Sequence, residues 1–329
     1  MTYRSMIAAQ PHAVARCLDA ARPEVERADL APFATGTIAV TGIGASFAAS
    51  LVVAAELARR GRRAIAVRSV DLIGAGDIAD SIVALSHRGR SIETVESLRA
   101  HPATPALAIT NDAGSPLAKA AGRHVRIANE RDATPSTTGY TGTLAACGVL
   151  ADRLCGTSAT DRAALPAQLA EVLAATALEM PRLAGLFRNR RAIDCVGAGA
   201  SLGTAEGACL LIREAARIPA AAADTRHYLH GPMEAMDSTT GVSLFGDGRE
   251  LELATQLDDI GCPVLIVTAS QAIEDSGGLT VVRVPAIDDR ISRGILDILS
   301  AQLLAAELSD AASLTDVKFR YPQADTKVP

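Results

Sequence analysis

Residues 37–46 read TIAVTGIGAS, and residues 192–201 read AIDCVGAGAS. Each is a short apolar run followed by Gly-x-Gly-Ala-Ser. Each then continues at helical spacing, as FAASLVVAAELARRG in the first case and LGTAEGACLLIREAAR in the second. The two stretches lie 155 residues apart and align without a gap. That period is far longer than a solenoid unit, so it predicts two copies of one domain.

The flanking sequence agrees. Strand-like runs fall at 37–41, 64–68, 82–85, 105–109 and 124–128, then at 192–196, 241–245, 263–267 and 279–283. Helical patterns separate several of them. Strands alternating with helices predict an α/β fold in which each parallel sheet is covered by helices on both faces, a flavodoxin-like or Rossmann-like three-layer sandwich. The expected organisation is an N-terminal helical segment (1–36, with a helix near 5–27), a first domain (37–158), a helical linker (159–190), a second domain (191–309) and a tail (310–329).

Composition narrows the function. The chain has 329 residues, 49% hydrophobic and 21% charged, which suits a folded chain with a sizeable core. The net charge of −5 comes from acids and bases mixed along the sequence, so no basic face for nucleic acid is expected. No signal peptide and no membrane span are read. Six scattered cysteines without a CxxC pair point to a reduced, cytoplasmic protein without a metal site. The Gly-x-Gly turn lacks the third glycine of a dinucleotide fingerprint, and no acidic residue ends the second strand, so no cofactor is expected.

Ligands of open parallel sheets sit at the carboxyl ends of the strands. Residues 44–46, 86–91, 130–138 and 199–201 are therefore the candidates. The loop Ser86-His87-Arg88-Gly89-Arg90-Ser91 joins a strand to a helix. Gly89 lets the chain turn so that backbone amides converge at a helix N-terminus, which suits an anion. The alternative is an ordinary N-cap at Ser91, with Glu93 or Glu96 in the first turn and the arginines solvated. A third feature, Asp224-Thr-Arg-His-Tyr-Leu-His-Gly-Pro-Met-Glu-Ala-Met236, fixes His230 in a Gly-Pro turn, where an imidazole can act as acid or base. An incidental surface histidine is the other reading of that turn.

In order and spacing, these features resemble the sugar isomerase (SIS) domain family. The chain is similar to the two-SIS isomerase half of glucosamine-6-phosphate synthase, and to stand-alone ketose/aldose phosphate isomerases and fructosamine-6-phosphate deglycases. The resemblance rests on the duplicated Gly-x-Gly-x-Ser turns, Ser86-x-x-Gly89-x-Ser91, TNDAGSPL (110–117) and PSTTGYT (135–141). It rests also on Arg213-Glu214, His230-Gly-Pro232 and a lysine, Lys327, near the C-terminus. The resemblance implies two tandem SIS domains and a phosphosugar isomerase or deglycase acting by ring opening and proton transfer between C1 and C2.

It also implies roles for individual residues. Ser46, Ser86 and Ser91, with the amides around His87, Arg88 and Gly89, would bind the phosphate. Ser136 and Thr137 would line the sugar site. Glu214 would be the base and His230 the ring-opening group, and Lys327 would meet the carbonyl end of the sugar. The implied partner is a small sugar phosphate, bound in a homodimer with a shared active site.

The chain departs from the family pattern at several positions. Arg88 stands where relatives usually carry serine, and Gly207 and Leu211 stand where they carry a glutamate and a lysine. Thr138 replaces a common lysine, and Arg90 is expected to point outward. Position 2 is threonine rather than cysteine, so glutamine-dependent amino transfer is not expected. Two alternatives stay open: a non-catalytic sugar-phosphate sensor, and an isomerase for a sulfonated or carboxylated sugar.

Overall fold

The computed structural model describes residues 2–129, 132–157, 162–314 and 319–328. Sequence expectations that fall on 130–131, 158–161 and 315–318 lie outside the described residues. The repeat is real in three dimensions. The first sheet contains β1 (Thr37–Gly42), β2 (Arg63–Arg68), β3 (Ser81–Leu85), β4 (Ala106–Thr110) and β5 (His124–Arg126), in the order β2-β1-β3-β4-β5. The second contains β6 (Ile193–Gly197), β7 (Ala220–Ala223), β8 (Gly241–Phe245), β9 (Val264–Thr268) and β10 (Leu279–Arg283). Its order, β7-β6-β8-β9-β10, is the same when the strands are numbered within the domain. All pairings are parallel. Strands β3, β4, β8 and β9 are buried along their whole length, as expected of apolar runs covered on both faces.

The two Gly-x-Gly turns share one geometry. Gly44 and Gly199 both sit at φ +58°, before helices α3 (Ala45–Arg59) and α9 (Ala200–Leu211). A Cβ on Gly42 or on Gly197 would approach the following serine's backbone to 2.7 Å. Only glycine lets the helix start so close to its strand.

The two domains share a core. Helices α3 and α9 cross so tightly that a Cβ on Gly203 would lie 2.5 Å from the Ala48 carbonyl oxygen. Around them pack α2 (Gln10–Arg27), α7 (Thr138–Cys155), α8 (Leu165–Phe187) and α12 (Arg290–Ala311). Helices α7 and α12 are buried on nearly every face.

Candidate active site

At the carboxyl ends of β1 and β3, where the strand order reverses, a cavity of about 460 Å³ opens between the two domains. Ser46, Ser86, His87, Arg88, Ser91, Ser136, Glu214 and Lys327 all line it. It is walled by the loop after β3, the first turn of α3, the start of α7, the turn after α9 and the C-terminal tail.

The loop after β3 is built to leave hydrogen-bonding groups open. Gly89 sits at φ +64°, and a Cβ there would lie 2.2 Å from Ser115 Oγ, so the turn requires glycine. Ser91 occupies the N-cap position of α5 (Ile92–Ala100), yet its side chain caps nothing. Its hydroxyl lies 3.2 Å from Ser86 Oγ instead. Ser115, by contrast, caps α6 (Pro116–Ala121) by accepting from the Ala118 amide. The amides of Arg88, Arg90 and Ser91 donate to no backbone acceptor among the described residues. Free amides, two facing hydroxyls and a helix N-terminus converge on one wall, which suits an oxyanion.

His87 is held as a neutral ring. The side-chain amides of Asn111 and Asn129 both approach its Nε2, at 2.8 and 3.1 Å, so that nitrogen is the acceptor. Burial, with the Arg88 charge adding to it, pushes the imidazole below its ordinary pKa. Arg88 and Arg90 are exposed on the cavity wall. Arg90 thus differs from the expectation that it points away, because the docked tail encloses that side of the loop.

The tail reaches the loop through a short antiparallel bridge between Ser91 and Lys327, with the Val328 amide donating to the Arg90 carbonyl at 2.9 Å. This places Lys327 Nζ 3.3 Å from Ser91 Oγ. The lysine therefore stands beside the Ser91 hydroxyl, because the bridge draws its backbone onto the loop.

The start of α7 is organised by a residue the sequence reading did not single out. Asp132 accepts hydrogen bonds from the hydroxyls of Ser136 (2.7 Å) and Thr137 (2.6 Å) and from the amides of Thr137 (2.9 Å) and Gly139 (2.8 Å). The carboxylate so satisfies the open amides of the helix. Thr137 is fully buried with its hydroxyl committed to Asp132, and it does not line the cavity. Only Ser136 of that pair does. The signal that could have found Asp132 is its spacing, an acid a few residues before a Ser-Thr-Thr-Gly helix start.

Glu214 sits on a π turn, Ile212–Ala216, that continues α9. Such wide turns recur at functional sites because they re-aim a side chain. Burial alone raises the Glu214 carboxyl to about 7. The neighbouring positions explain why nothing offsets it: Gly207 and Leu211, uncharged, lie beside it. Glu206 faces elsewhere, 3.8 Å from Arg68. His230 is exposed in the turn before Pro232 and does not line the cavity.

Residues 34–153 match the SIS domain profile. The first domain is an SIS domain. No curated protein sequence matches the chain. Among solved structures, the chain is similar to the C-terminal domain of glucosamine-fructose-6-phosphate aminotransferase from Francisella tularensis, with 18% identity and a TM-score of 0.80 over 96% of this chain and 97% of that one. It is similar to glucosamine-6-phosphate deaminase from Thermotoga maritima, with 16% identity and a TM-score of 0.80 over 98% of each chain. It is also similar to tagatose-6-phosphate ketose/aldose isomerase from Escherichia coli, with 17% identity and a TM-score of 0.78 over 98% and 96%. These likenesses span the whole chain and establish a shared fold of two tandem SIS-type domains.

The two SIS-type domains are not equivalent as binding sites. In the second, the loop after β8 is Gly246-Asp247-Gly248, leading into α11 (Arg249–Asp259). There the buried Glu250 turns back on its own helix start. Its carboxylate accepts from the Gly248 amide at 3.2 Å and from the Thr225 hydroxyl. Asp247 takes Arg293 at 2.7 Å. The helix start that matches the anion-suited loop is filled by the chain's own carboxylate, so of the two corresponding loops only the one after β3 is left open to the cavity.

Proposed function

We propose that the chain interconverts the aldose and ketose forms of a small anionic sugar, a phosphosugar being the leading substrate class. The observation that carries this reading is Glu214. It is a part-buried carboxyl poised near neutrality, without a hydrogen-bond partner among the described residues. It shares a cavity with an anion-suited loop and with the cations Arg88, Arg90 and Lys327. A general base works best when its pKa lies near the operating pH. The loop would hold the phosphate, and that remote binding would place C1 and C2 at the carboxylate. Deglycation and deamination use the same proton transfer and belong to the same reading.

His230 stands outside this cavity, so we propose that a second copy of the chain supplies it and that the protein works as a homodimer. Mixing Glu214→Gln with His230→Ala, each inactive alone, is expected to restore activity through mixed dimers. The primary test is deuterium incorporation at C1/C2 of ketose phosphates in D2O, alongside thermal shift. Glu214→Gln should lose exchange and keep ligand-induced stabilisation. A chain that is stabilised by phosphosugars but never exchanges protons is a sensor, and one that responds to none of them sinks the proposal.

Arg88 supports a second reading of the anion. A guanidinium on the wall can clasp a sulfonate or carboxylate through paired hydrogen bonds. Running the same assay with sulfo-sugars and uronates decides between them.

A further inference from the structure

Behind the main cavity lies a small chamber of about 20 Å³ that shares Ser136, Tyr140, Leu210 and Glu214 with it. One water-sized atom needs roughly 10–15 Å³, so the chamber holds a single oxygen and no sugar ring. Gly207 makes the room, since a Cβ there would lie 3.2 Å from Ile298 Cδ1 and 3.7 Å from the Tyr140 hydroxyl.

Two buried polar groups in the lining of this space have no protein partner among the described residues: the Tyr140 hydroxyl and the side-chain nitrogen of Gln302. The orientation of Gln302 is fixed by a chain of hydrogen bonds. Thr141 donates its hydroxyl to Gln10 Oε1 at 3.0 Å, and Gln10 donates its amide to Gln302 Oε1 at 2.6 Å. Gln302 therefore has only its N–H groups left to offer. Burial raises the Tyr140 phenol well above its ordinary pKa, so it too is a neutral donor. Leaving such buried donors unmet is costly, which marks the chamber as a place suited to receive an acceptor. Apart from Glu214, its lining holds no charged group.

We propose that Tyr140 and Gln302 form an oxyanion site that receives the carbonyl oxygen of the substrate next to the carbon that Glu214 deprotonates. The inference rests on the reading of Glu214 as the base. Glu214 takes the proton from carbon, and the C–H pair becomes the C=C bond of an enediolate. The carbonyl π pair moves onto oxygen, and the O–H and N–H of the two residues meet the new charge. The hydroxyl proton then passes between the two oxygens, and Glu214 returns its proton to the neighbouring carbon. Because the chamber offers donors, it suits a carbonyl or hydroxyl oxygen and disfavours an ammonium group. The substrate class is a hydroxy sugar, not a 2-amino sugar.

The test is turnover and deuterium exchange by the full chain, wild type against Tyr140→Phe and Gln302→Leu. The probes are a panel of ketohexose phosphates and their 2-amino-2-deoxyaldose counterparts. Each substitution is expected to lower kcat about 100-fold with KM within about twofold, the scale of losing one oxyanion donor. Tyr140→Phe breaks no protein hydrogen bond among the described residues, so its Tm should stay unchanged, which separates a chemical loss from misfolding. If wild type turns over ketose phosphates and Tyr140→Phe matches its kcat, the oxyanion site is wrong while the base survives. Faster turnover of amino sugars than of ketoses also overturns it. A wild type inert toward the whole panel removes both the inference and the function it rests on.

Discussion

Replacing Glu214 by glutamine should stabilise the protein at neutral and alkaline pH while abolishing proton exchange. An ordinary glutamate titrates near 4.5, and in this fold Glu214 titrates near 7. Between those values the folded chain keeps a proton that the unfolded chain releases, so stability falls as pH rises through the window. The step from 4.5 to about 7, at roughly 1.4 kcal/mol per pH unit, corresponds to about 3.5 kcal/mol lost by pH 8. Glutamine has the same shape and does not ionise, so it escapes that loss. For a chain of this length, about 3.5 kcal/mol moves the Tm by about 5 °C. The assay is thermal unfolding of both proteins without ligand from pH 4.5 to 8. The Tm difference should be near zero at the acid end, grow through pH 5–7 and level off above it, in favour of glutamine. A difference that is flat across this range, or wild type the more stable at pH 8, would refute the account of Glu214 as a part-buried, unpaired carboxyl.

Three further outcomes follow from the hydrogen bonds. Ser91→Ala should change stability by less than about 0.5 kcal/mol, because Ser91 caps nothing, yet weaken phosphate binding; Ser115→Ala, a true cap, should cost about 1 kcal/mol and leave binding intact, as denaturant titration and calorimetry can show. Asp132→Ala removes the acceptor for five groups at the start of α7 and should cost about 3 kcal/mol in urea unfolding, with Asp132→Asn costing less. Lys327→Ala should weaken phosphate binding more steeply at low salt than at high salt; equal losses at both would mean that the ammonium does not act through charge.

The fold was legible because both copies of the Gly-x-Gly turn are dictated by close backbone approach, a constraint that shows directly as glycine spacing. Strand β7 was not. It is four alanines, which carry no β-branched or alternating signal and favour helix in isolation; only pairing with β6 makes them a strand. At the site, Ser86, Ser91 and Glu214 were visible from their positions at strand ends and in motifs. Asp132, Tyr140 and Gln302 were not, because their roles arise from contacts between distant elements. Gln302 sits in a helix buried on nearly every side, where one amide among apolar residues reads as core. Its meaning depends on Gln10, 292 residues away. Thr137 is the reverse case: a hydroxyl in the right motif, spent on the Asp132 carboxylate five residues before it.

Glu250 has a consequence beyond the second loop. A carboxylate tethered two residues from the amide it contacts cannot diffuse away, so its effective concentration there is fixed by the chain. The second domain is in this sense permanently liganded. Under the proposed function, the first domain would exchange its anion with solution and gain stability only by mass action. Added ligand should therefore slow amide hydrogen exchange across residues 86–100 and leave residues 246–259 as they were. On that reading the two copies of one domain divide into a half that responds to ligand concentration and a half that is insulated from it.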